Sequence, residues 1–128
     1  MYRAFGLLHP RTDFALDVAA TRLAAKFPGY SVTHAGNQII VSKGEWSIEM
    51  SLVSGPHVPL ETVGLTGKIA GFEQSEAETL ALSDRRVEVA TDIPDPFMEH
   101  FNEYLFVVEV LKSFTGLTAV DPNGPDLL

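Results

Sequence analysis

Strand-like alternation in the middle and at both ends of the chain, interrupted by stretches of helical period, predicts an α+β fold. The expected architecture is a two-layer sandwich, a mainly antiparallel sheet with helices packed largely on one face. Two observations carry this reading. The runs between Tyr30 and Leu52 are joined by turns of about three residues, too short for the crossover that a parallel pair requires. Near the C-terminus, Phe97, Phe101, Tyr104, Leu105, Val108 and Leu111 recur at helical spacing, long enough to cover a sheet.

Taken in order, Tyr2 to Leu8 reads as a first strand stopped by His9-Pro10. Thr12 or Asp13 is then placed to cap a helix with Leu16, Ala19, Ala20, Leu23 and Phe27 on its buried side, closed by Pro28-Gly29. A meander follows: Tyr30 to His34, a turn at Ala35-Gly36-Asn37, Gln38 to Ser42, and a turn at Lys43-Gly44-Glu45. The third run sets Trp46, Ile48, Met50 and Leu52 against Ser47, Glu49 and Ser51, as a strand with one buried face does.

Pro59 to Ala70 carries Leu60, Val63, Leu65 and Ile69 but is interrupted by Gly64 and Gly67. Each glycine costs a helix interior about 1 kcal/mol relative to alanine, so an irregular or broken helix is expected across residues 55–72. Ser75 to Leu82 reads as a short helix with Ser75 and Glu78 as a capping box. Arg85 to Thr91 alternates like a strand, with Arg86 and Glu88 on its wet face and a cross-strand ion pair as their simplest use. Asp95 as N-cap and Pro96 as first helical residue start the last helix, which Gly116 ends. Leu117 to Val120 is a final strand, and residues 121–128 an irregular tail. With no repeat and no linker, residues 1–128 are expected to form a single domain ordered βαβββ, one or two short helices, then βαβ.

Nine Lys and Arg against 17 Asp and Glu leave a net charge of -8. That balance opposes nucleic-acid phosphates and anionic membranes, so a basic protein partner or a homodimer is expected and nucleic acid and membrane are not. The absence of cysteine removes disulfides, thiolate metal sites and a cysteine nucleophile. The apolar piece before His9 is too short for a signal h-region, which makes the cytoplasm the expected location.

No catalytic residue, cofactor site or metal site follows from the motifs. Gly64-Leu65-Thr66-Gly67-Lys68 has a superficial likeness to a phosphate loop but fails its spacing, and there is neither a GxSxG elbow nor an HExxH helix. Two sets of residues remain as candidates. Phe106 falls on the polar side of the last helix, seven residues after Glu99 and among Glu103 and Glu109, where a large ring needs cover from the tail or from a second molecule. His9 with Asp13 and His57 with Glu61 are local imidazole–carboxylate pairs at element boundaries, a combination suited to a ligand cleft.

Arg85-Arg86-Val87-Glu88-Val89, His100 through Leu105, and Gly116 through Asp121-Pro122 together resemble the C-terminal part of small uncharacterised bacterial α+β proteins, catalogued as domains of unknown function. The resemblance covers under a third of the chain. It implies a bacterial, cytoplasmic protein and carries over no catalytic residue. The expectation is a non-enzymatic interaction or binding module, of accessory, chaperone-like or immunity type. The alternative is a small-molecule-binding protein or minor enzyme with its cleft near His9 and His57.

Overall fold

A computed structural model describes residues 2–128. Seven strands form one sheet: β1 (Arg3–Leu8), β2 (Ser31–Ala35), β3 (Gln38–Lys43), β4 (Trp46–Ser54), β5 (Arg85–Ala90), β6 (Leu117–Asp121) and β7 (Asp126–Leu127). Four helices accompany them: α1 (Leu16–Lys26), α2 (His57–Lys68), α3 (Gln74–Leu80) and α4 (Phe101–Lys112). The fold is α+β, and the sheet is antiparallel throughout in the order β2-β3-β4-β5-β1-β6-β7. The meander is seen in the expected register, with Ile39 opposite Met50 and Val41 opposite Ile48. Among the described residues no helix is long and apolar enough to cross a membrane.

Period-two alternation divides the side chains between two cores. Ala4, Leu8, Ile39, Val41, Trp46, Ile48, Met50, Val87 and Val89 point to one face, where α1 and α4 cover them with Leu23, Phe27, Tyr104, Val107, Val108 and Leu111. The alternate residues Leu7 and Val120, with Phe5 beside them, point to the other face. There they meet Ile69 and Leu80, with Leu65 and Phe72 packed against them, beneath α2 and α3. This second cluster adds a partial third layer that the two-layer reading does not include.

Several local expectations change. Thr12 and Asp13 do not cap α1, whose N-cap is Ala15 with no side-chain bond. Thr12 Oγ1 donates to the Thr115 carbonyl at 2.8 Å and the Thr115 N–H donates to Asp13 at 2.8 Å, so the pair ties the first loop to the last. Gly116 completes this tie: its φ is +67° and a Cβ there would lie 2.8 Å from the Thr12 Cα. Helix α2 is unbroken despite its glycines. A Cβ added to Gly64 or Gly67 would meet nothing within 4 Å, and the helix is held instead by buried Val58, Thr62 and Thr66. Thr66 satisfies its hydroxyl by donating to the Thr62 carbonyl at 2.9 Å. Ser75 lies inside α3 rather than capping it, because the helix begins one residue earlier. Asp126–Leu127 leaves the irregular tail to pair with β6.

Candidate interaction surface

The largest departure from the sequence reading lies before α4, and it creates the most exposed apolar feature among the described residues. Asp-Pro suits an N-cap followed by a first helical residue, but equally the first two positions of a β-turn. The turn is what forms. Met98 donates its N–H to the Asp95 carbonyl at 3.1 Å, and the helix waits until Phe101, with His100 as N-cap. Glu99 therefore lies outside α4 and shares no helical face with Glu103.

Asp95 holds the turn from within. Its carboxylate accepts the Glu99 N–H at 2.9 Å, the His100 N–H at 2.8 Å and the Tyr2 hydroxyl at 2.7 Å. Burial opposes its ionisation, but the Tyr2 hydroxyl, the two N–H groups and the charge of His100 outweigh that and hold the carboxyl below the usual range. The same contact, after burial, pushes the Tyr2 phenol up to about 12.

At the far foot of the turn the His100 ring stacks on Trp46, with centroids 4.8 Å apart, and its Nδ1 lies 3.6 Å from Glu103 Oε1. Ile93 packs against the core at the near foot. With both feet fixed, the tip projects: Phe97 is 84% exposed and Met98 58% exposed. Met98 also has φ +55°, the only positive φ at a non-glycine among the described residues. Such strain persists only where the surroundings impose it, as Asp95 and His100 do here.

Helical spacing alone predicts Phe97 and Leu105 in the buried stripe of α4. Phe97 lies on the turn, and Leu105 faces out with Phe106, each 39% exposed. Cover for Phe106 comes from α1 rather than from the tail: Phe27 meets it edge-on at 6.0 Å, and Lys26 lies over the ring while pairing with Glu109. Glu103 is half-buried and accepts the Tyr30 hydroxyl at 3.1 Å. Of the four expected interaction residues, Glu103 is thus a packing partner, Glu109 a surface ion pair, and Phe106 a partly covered ring. Glu99 is exposed beside the projecting tip.

The imidazole–carboxylate pairs engage other groups. His9 Nδ1 accepts the Arg11 N–H at 3.1 Å, and Asp13 bonds to Thr115 as described. His57 opens α2 in an exposed position, while Glu61 turns under the helix to place its carboxylate 2.7 Å from Arg86 Nη1. Arg86 is itself a correction: it is buried, not on a wet face, and its pairs are with Glu88 of its own strand and with Glu61, not across strands. The wet-face reading fails because α2 covers that part of the sheet.

Neither a scan of family models, nor a search of curated proteins, nor a search of solved structures finds a match to this chain.

Proposed function

We propose that the protein is an interaction module, and that the turn Asp95–His100 is its anchor, seated in an apolar pocket with a basic rim on a partner protein. One observation carries the reading: Phe97 is 84% exposed at the tip of a turn whose two feet are fixed. An aromatic ring in a preorganised loop gains contact area on binding and has little conformational freedom left to lose. Asp92 and Glu99 are exposed on either side of the tip, and the chain as a whole carries a charge of -8. Partner pockets bordered by Lys and Arg complement that charge and gain association rate from it. Leu105 and Phe106 are also partly exposed, on the solvent side of α4.

The test is a photo-crosslinking residue placed at position 97 in cells that make the protein, followed by direct titration of any crosslinked protein. The reading expects one dominant adduct whose binding is weakened by Phe97→Ser and by added salt. A crosslink only to a second copy would assign the same surface to self-association, and the absence of any discrete adduct would remove the proposal.

A further inference from the structure

The opposite face of the sheet carries a second site, of different chemistry. Between α2 and the strands β1 and β5 lies a cleft of about 370 Å³ lined by Phe5, Glu61, Leu65, Lys68 and Arg86, with Gly64 and Pro122 at its edges. Its size is at the lower end of small-molecule pockets.

Arg86 is the centre of the cleft. Its side chain is 7% exposed, and its guanidinium lies 4.3 Å over the Phe5 ring, so the ring fixes the plane of the fork. One edge is committed to Glu88, through Nε and Nη2, each at 2.9 Å. The other edge is held less firmly. Nη1 is 2.7 Å from Glu61 Oε1 yet makes no hydrogen bond of acceptable direction, and the Glu61 side chain is 50% exposed. A flexible, half-exposed glutamate against a fixed arginine is a contact that an incoming carboxylate can replace at little cost, because like replaces like.

Two further features suit such a ligand. Lys68, one helical turn beyond Gly64, lines the cleft and takes part in no ion pair among the described residues. Gly64 leaves open the space that any side chain would enter, although nothing in the packing requires glycine there. Phe5, Leu65 and Pro122 supply apolar walls. The nearby carboxylates of Glu61 and Glu88 weigh against a multiply charged phosphate and favour a single negative charge.

We infer that this cleft binds a small monocarboxylate with a flat apolar body, its carboxylate taking the place of Glu61 on Arg86 and reaching Lys68. Benzoate is the probe, with benzamide as its neutral counterpart, both titrated at constant ionic strength into the isotopically labelled protein. Saturable shifts are expected at the amides of Gly64, Leu65 and Arg86. Loss of the charge-assisted contact should weaken binding about tenfold in benzamide and in Lys68→Met. Glu61→Gln should strengthen benzoate binding and Gly64→Leu should abolish it; both positions are at the surface of α2, and unchanged spectra elsewhere show that each variant is folded. Shifts that do not saturate, or that are equal for benzoate and benzamide and insensitive to Lys68→Met, would overturn the inference.

Discussion

Tyr2, Tyr30 and Tyr104 are the only tyrosines of the chain, and each phenol is raised above the ordinary 10.0. Burial is the first cause in every case. The Asp95 contact adds to it at Tyr2, the Glu103 contact at Tyr30 and the charge of Asp121 at Tyr104. A folded-state value above the unfolded one means that the native state keeps the proton longer. The stabilisation from these groups is therefore complete below pH 10 and is lost as pH rises, for Tyr2 toward about 12. At pH 10 the folded protein should show less tyrosinate absorbance than the urea-unfolded chain, where about half of each phenol is ionised, with Tyr2 contributing almost none. Equal absorbance in the two states would mean that the phenols are not buried as described and that Tyr2 lacks its bond to Asp95, and the turn would lose one of its supports.

At the scale of elements, the glycines of α2 present the sharpest contrast between pattern and structure. Gly64 weakens the helix without relieving any clash. Gly64→Ala should therefore raise stability by up to about 1 kcal/mol in urea unfolding, while any functional loss would locate the reason for glycine in the cleft. A destabilised variant would show a contact that the present geometry lacks. The sequence made the meander legible because its alternation and short turns admit only antiparallel pairing, and β2, β3 and β4 pair as read. It misplaced the start of α4 because Asp95-Pro96 satisfies two local structures equally. The choice between them depends on Tyr2, 93 residues away, and on Trp46. Phe106 was legible as a ring on a polar face; Phe97 was not, because its spacing continues the buried stripe of a helix that begins later. Arg86 was hidden for a similar reason: alternation in β5 places it opposite Val87, but only the position of α2 decides that this second face is covered too.

Across the whole molecule, two cores of unequal size share one sheet. The larger joins α1 and α4 to buried residues of β1, β3, β4 and β5, whereas the smaller rests on Leu7, Ile69, Leu80 and Val120. Leu111→Ala should cost about 2–5 kcal/mol of global stability, and Leu80→Ala less. In native-state hydrogen exchange, α2 and α3 should open together at lower free energy than α4 and the central strands. Uniform protection across both layers would contradict this division. The division also separates the two proposed sites: the anchor turn stands over the larger core, and the Arg86 cleft lies within the layer expected to open more readily.

The central claim is that the exposure of Phe97 serves association and not folding, and the most direct measurement compares Phe97→Ser with the unaltered protein in both respects. Thermal unfolding of the two should agree within about 0.5 kcal/mol, as for a surface substitution. Binding to the crosslinked partner should fall by about tenfold or more, as loss of an aromatic anchor does. A variant that unfolds more easily, or that binds as tightly as before, would show that the ring is covered by the protein itself or plays no part in recognition.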